Sequence, residues 1–108
     1  MKILKFADNL VPLIISGEKT STWRLFDDKN LKVDDSVIFV NKSTNQEFAR
    51  AVIISIREKI IGEVEDDDFT GHERFESREA MLDTYRSYYG DKVTEVTPVK
   101  MIEFVILS

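Results

Sequence analysis

No cysteine occurs in the 108 residues, and histidine occurs once, as His72. The first absence removes disulfides, thiolate zinc sites and thiol nucleophiles together. A lone histidine cannot build a multi-histidine metal centre, and the strained Gly-x-Ser-x-Gly turn that serves a Ser-His-Asp nucleophile is missing as well. Long apolar runs are also lacking: the longest, Leu10 to Ile15, is far short of a bilayer span. The opening Met1-Lys2-Ile3-Leu4-Lys5 has too brief an apolar stretch for a signal peptide. A soluble, cytoplasmic protein with no cofactor and no membrane partner is the expectation. Internal repeats, linkers and low-complexity tracts are absent apart from one short acidic segment, so residues 1–108 read as a single domain.

What is present suffices to fold. With 43% hydrophobic and 10% aromatic residues the chain can fill one modest core, which excludes global disorder. The net charge of −5 is unevenly spread. Residues 1–60 hold ten Lys or Arg against eight Asp or Glu, whereas residues 61–108 hold five against twelve. Coating duplex DNA or RNA requires many phosphates to be neutralised, so this balance argues against general duplex binding and leaves room for a local basic pocket.

Along the chain, Lys2 to Phe6 reads as a first strand, after which Asp8 or Asn9 can cap a short helix with Pro12 in or beside its first turn. Leu10, Leu13, Ile14 and Gly17 make one helical stripe, expected in the core. A second strand follows from Lys19 to Leu25, then a polar turn at Phe26-Asp27-Asp28-Lys29-Asn30. Ser36 to Val40 and a strand from about Glu47 to Lys59 flank the hairpin loop Asn41–Gln46. The length of the latter strand requires a bend or bulge, which helps curl a sheet into a small barrel. Ser77 is placed to cap a second helix whose Met81, Leu82, Tyr85 and Tyr88 or Tyr89 share one side, and Gly90 suits its end. A last strand spans about Val96 to Leu107, with Pro98 marking an edge or bulge. Five or six strands and two main helices make an α+β domain, in which a mixed, mostly antiparallel barrel competes with an open sheet.

The densest polar feature is Gly17-Glu18-Lys19-Thr20-Ser21-Thr22-Trp23-Arg24, where two cations, three hydroxyls and an indole follow a glycine stop. In extended chain Thr20, Thr22 and Arg24 share one face, and Lys19, Ser21 and Trp23 the other. A bend at the strand's start would bring Lys19 round towards Thr22. Hydroxyls beside fixed charge suit an oxygen-rich or planar polar ligand. The same residues also fit an amphipathic strand with Trp23 in the core and Lys19 and Arg24 exposed.

The stretch from Phe6 to Leu25 resembles the opening signature of the ASCH domain, one of the PUA-like group of small RNA-associated β-barrels. The remainder agrees in order: Asp34-Asp35-Ser36-Val37 after a polar turn, the long Phe48-to-Arg57 strand, Phe75-Glu76-Ser77 before a helix, and a closing Val99–Phe104 strand. The resemblance implies a PUA-like barrel and an RNA or nucleoside/nucleotide ligand, with Lys19, Thr20, Ser21, Thr22, Trp23, Arg24 and Tyr89 at the binding cleft. Some bacterial ASCH proteins hydrolyse the acetyl amide of N4-acetylcytidine with a lysine, a threonine and a glutamate. Lys19 and Thr22 stand at the matching positions; Glu73 matches the third with an offset of one residue, and Arg74 stands there in a gapless register. Because that position departs from the enzyme pattern, binding of RNA or a nucleotide-like ligand is the leading expectation, with amide hydrolysis by Lys19, Thr22 and Glu73 as the alternative.

Three further features bear on chemistry. His72, between the acidic segment and the second helix, is expected at the surface or as a cap. Glu73 is expected either exposed ahead of the helix or in a partly buried cleft near Lys19, where pairing and desolvation would compete for its proton. Glu63-Val64-Glu65-Asp66-Asp67-Asp68 places five carboxylates in six positions. It lacks calcium-loop spacing and reads as a solvated loop or helix start, so no metal site is expected. An acidic protein-interaction module remains a third alternative.

Overall fold

The computed structural model describes residues 1–107. Five strands form, each where apolar residues alternate or run together: β1 (Lys2–Phe6), β2 (Ser21–Leu25), β3 (Ser36–Asn41), β4 (Glu47–Ile60) and β5 (Pro98–Ile106). Their order across the sheet is β1-β3-β4-β5-β2, with β1 parallel to β3 and every other pair antiparallel. β4 is long enough to pair with both β3 and β5, and its register slips between Ile53 and Ser55, a bulge that turns the strand. The sheet thereby curls into a half-barrel. Its two edges, β1 and β2, share no ladder among the described residues. Arg24 bridges the seam instead, donating from Nη2 to the Lys5 carbonyl at 2.9 Å and lying 4.8 Å from the Phe6 ring centroid.

Two helices serve this frame. α1 (Val11–Ile15) follows a 3-10 turn at Asp8–Leu10 and has Pro12 in its first turn, where the missing amide hydrogen costs nothing. The expectation that Asp8 or Asn9 caps it is corrected: neither side chain caps, and Asp8 Oδ1 accepts from Asn41 Nδ2 at 2.9 Å. Of the expected apolar stripe only Ile14 is fully buried, since so short a helix presents little more than one turn to the core. α2 (Arg78–Tyr89) begins where Ser77 Oγ accepts the Ala80 amide hydrogen, and it ends at Gly90, whose φ of 96° a side chain would resist. Met81, Leu82 and Tyr85 are its buried face.

The apolar residues divide into two clusters. Leu4, Phe6, Val37, Phe39, Ile53 and Phe104 fill the half-barrel. Trp23, Leu25, Ile61, Met81, Tyr85 and Val99 join the β2–β5 end to α2. Between the second cluster and the open seam lies the cavity described next.

Candidate functional site

Gly17 ends α1 with φ of 84°, and the Lys19 amide then donates to the Leu13 carbonyl at 2.9 Å. This turn delays β2 until Ser21, two residues later than expected, and frees Lys19 from strand alternation. Lys19 and Thr22 consequently line one cavity of about 440 Å³, together with Arg24, Glu73 and, from α2, Tyr85 and Tyr89. The loop carrying Glu73 is docked by Gly71, whose carbonyl accepts from the Thr20 and Ser21 amides at 2.8 and 3.1 Å. At φ of 73°, and with a Cβ there bound to collide with the Thr20 side chain, this position admits glycine alone.

Lys19 is only 3% exposed and donates from Nζ to Glu73 Oε2 at 2.6 Å; Glu73 is 34% exposed and reaches the cavity. Burial pulls the Lys19 ammonium below the ordinary lysine range, against the opposing pull of Glu73. For Glu73, burial pushes upward, but His72, Lys19 and the hydrogen bond from Lys19 outweigh it and hold the carboxyl below its usual range. The result is a close ion pair facing a solvent-reachable hollow, each member costly to keep charged without the other.

His72 departs from expectation. Its side chain is buried and stacked on Trp23, with ring centroids 4.2 Å apart and planes 21° from parallel. Nδ1 lies 2.7 Å from the Glu73 carbonyl, which only accepts, so the ring proton sits on Nδ1 and Nε2 carries the lone pair. Burial first, and the Lys19 charge second, lower its pKa to about 4, leaving it neutral at neutral pH. The isolated histidine ahead of a helix offered no sign of this; the neighbouring Phe69 and Phe75 were the available hint of an aromatic nest.

Of the remaining sequence-selected residues, Trp23 and Tyr89 also border the cavity, whereas Thr20 is exposed against Gly71 and Ser21 faces away. Ser21 lines a separate hollow of about 50 Å³ behind Trp23, and its buried Oγ has no hydrogen-bond partner. It therefore cannot donate to an oxyanion formed near Thr22. Arg24 Nε is likewise buried without an acceptor. The acidic segment is not wholly solvated either. Asp68 is buried and accepts from Arg57 Nη1 at 2.8 Å, Lys59 Nζ at 2.9 Å and the Glu65 amide at 2.8 Å. Arg57 and Lys59, two apart on one strand face, were the signal that a carboxylate would join them. Among the described residues no group of three or more His, Asp or Glu side chains is placed to hold a metal ion, and no helix is long and apolar enough to cross a membrane.

A curled five-stranded mixed sheet with two helices is the small α+β fold of solved ASCH domains. Solved structures agree with that class. A protein from Enterococcus faecalis superposes with a TM-score of 0.80 at 14% identity, covering 98% of this chain and 79% of the other. An ASCH domain from Lactobacillus crispatus gives 0.71 at 15% identity, covering 97% and 79%. The ASCH protein of Zymomonas mobilis gives 0.59 at 17% identity, covering 95% of this chain and 65% of its own. At such identities the likeness is one of fold. No family model and no curated protein matches the chain.

Proposed function

We propose that the cavity is a nucleoside-binding active site that hydrolyses the acyl amide of an N4-acylated cytidine. One observation carries this reading: the 2.6 Å Lys19–Glu73 contact lies in the same cavity as Thr22, joining a base, an acid and a hydroxyl nucleophile across 54 residues of sequence. The volume of about 440 Å³ suits a small-molecule ligand, for which sites of about 300–1,000 Å³ are typical. The exocyclic amide and the flat base would meet, respectively, Thr22 and the aromatic wall of Trp23, Tyr85 and Tyr89.

The chemistry follows from the pair's environment. A bound ligand expels water, and loss of solvation favours the neutral form of the pair, Lys19 amine beside Glu73 acid, over the charged one. Lys19 then takes the Thr22 proton as Oγ1 attacks the acyl carbonyl. Collapse of the tetrahedral adduct breaks the C–N bond, Glu73 gives its proton to the departing cytosine nitrogen, and an acyl-threonine ester remains. The Lys19 ammonium then passes its proton to the Glu73 carboxylate across their 2.6 Å contact; the regenerated amine takes a proton from the water that attacks the ester and returns it to Thr22 Oγ1 as the carboxylic acid leaves, which restores all three side chains. Backbone amides near Thr22 are the remaining candidates to stabilise the oxyanion, since Ser21 faces elsewhere.

A second reading, an RNA- or nucleotide-binding module without turnover, is favoured by the aromatic and cationic mouth, where Tyr88, Lys5 and Lys42 border the same cavity. The acidic interaction module has less in its favour, because Asp68 is consumed by Arg57 and Lys59. Incubation with N4-acetylcytidine followed by chromatography decides between the first two. Cytidine release that is abolished in Lys19→Ala and Thr22→Ala, and retained in Arg57→Ala, is the expected result; absence of release by the unaltered protein removes the hydrolase reading.

A further inference from the structure

We infer that the ligand of this cavity carries a phosphate, held at the mouth by Lys5 and Lys42, so that the site takes a nucleotide in preference to the free nucleoside. The inference rests on reading the cavity as a nucleoside site and adds the chemical class of what enters it.

The charge distribution is the first support. The protein as a whole is acidic, with a net charge of −5. The cavity of about 440 Å³ reverses that sign: Lys5, Lys19, Arg24 and Lys42 line it against the single carboxylate of Glu73. A cationic cavity on an anionic protein selects anions, because repulsion elsewhere on the surface leaves this as the favourable approach.

The second support is which of those charges are spoken for. Lys19 is paired with Glu73, and an Arg24 Nη2 hydrogen goes to the Lys5 carbonyl. Lys5 and Lys42 make no ion pair among the described residues, although Lys2, Lys59 and Lys100 each do. Both side chains are exposed, so neither supports the core. Asp8, close to Lys42 in the fold, is bound by Asn41 Nδ2 and does not line the cavity.

The third support is that the two are held to one rim. Lys5 lies in β1 opposite Val40, and the Lys42 amide donates to the Phe6 carbonyl at 2.8 Å, which ties the β3–β4 turn to the end of β1. Lys42 Nζ stands 6.0 Å from the centroid of Tyr88, an aromatic ring 59% exposed at the same mouth. A base seated deep among Trp23 and Tyr85 would direct its sugar outward, and a phosphate on that sugar would meet two free ammonium groups. An N4-acylated cytidine monophosphate and an acylated cytidine within RNA share this chemistry.

Calorimetric titration of the full chain with cytidine, cytidine 5′-monophosphate and a cytidine tetranucleotide tests the inference without relying on turnover. The monophosphate is expected to bind about five- to tenfold more tightly than cytidine at low salt, two exposed charge contacts being worth about that much. The preference should shrink as salt rises, and Lys5→Ala with Lys42→Ala should bring the ratio of the two affinities near one. Thermal melting of that double variant confirms that the fold is intact. Equal binding of cytidine and its monophosphate by the unaltered protein overturns the phosphate subsite while leaving the nucleoside site standing. Failure of both to bind overturns the nucleoside site itself. Tighter binding of the tetranucleotide than of the monophosphate assigns the phosphate to an RNA backbone; weaker binding assigns it to a free nucleotide.

Discussion

On one side of Trp23 a buried carboxylate is fully occupied; on the other a buried ammonium is not. Asp68 receives a guanidinium, an ammonium and a backbone amide, so both of its oxygens are engaged by the protein alone. Lys19 has three donor hydrogens and meets Glu73 as its one side-chain acceptor among the described residues, while nearby Arg24 Nε meets none. Both clusters paid desolvation on folding, and the first recovers it through three donors where the second has a single ion pair. A charge satisfied by the protein holds the fold together. A charge with one partner beside a cavity is the one free to respond to what enters it under the function proposed above.

The contrast can be broken most forcefully at Lys19. Replacement by methionine removes the base and the partner of Glu73, and turnover of N4-acetylcytidine should fall by about 10²–10⁴-fold. Any loss of stability should be smaller than that of Asp68→Asn, since an apolar side chain of similar length replaces a buried charge and Glu73, 34% exposed, still reaches water. Kinetic assay and thermal melting of the same preparation test both halves; marked unfolding would place Lys19 with Asp68 as a structural ion.

Asp68→Asn is the opposite case. It keeps the shape but loses the charge on which two cations converge, and should cost about 2–3 kcal/mol in urea denaturation. Turnover at a temperature where the variant is folded should be unchanged, because Asp68 does not line the main cavity. A loss of activity without loss of stability would join the two clusters into one machine.

The smallest effect separates the clusters by pH. Burial pushes the Asp68 carboxyl up, but the Glu65 amide, Lys59 and Arg57 outweigh it and bring its pKa from 3.8 to about 2. Its stabilisation is present in full above the unfolded value and disappears as pH falls from about 4 to 2. Lys19 behaves inversely: its folded pKa lies below 10.5, so the unfolded chain holds the proton longer and stability rises as pH climbs towards that value. Denaturation profiles should therefore lose part of their acid limb in Asp68→Asn and their alkaline gain in Lys19→Met. The alkaline limb should be untouched in Asp68→Asn, whereas Lys19→Met should also lose the share of the acid limb that Glu73 owes to Lys19.

Much of this architecture is readable from local pattern. Ser77 and Gly90 announce the ends of α2, Pro12 the start of α1, and the length of β4 its bulge, because caps, ring constraints and strand reach act over a few residues. The inclusion of Lys19 and Thr22 in one site was open to a reading that allowed a bend after Gly17. The positions of His72, Ser21 and Asp68 were not. Alternation along β2 separates Ser21 from Thr22 but is silent on which face meets a cavity, and an acidic run does not say which of its carboxylates will find Arg57 and Lys59.

The order of hydrophobic, turn and capping residues by itself determined the strands, the two helices and their sequence, since each depends on neighbours a few positions away. Closure of the sheet decided the rest. Only when β4 bends and the Gly71 loop docks on Thr20 do Lys19 and Glu73, 54 residues apart, come within 2.6 Å, and only the unclosed seam between β1 and β2 leaves them a hollow to face. Such contacts are set by the global geometry of the fold, which no short window of the chain contains.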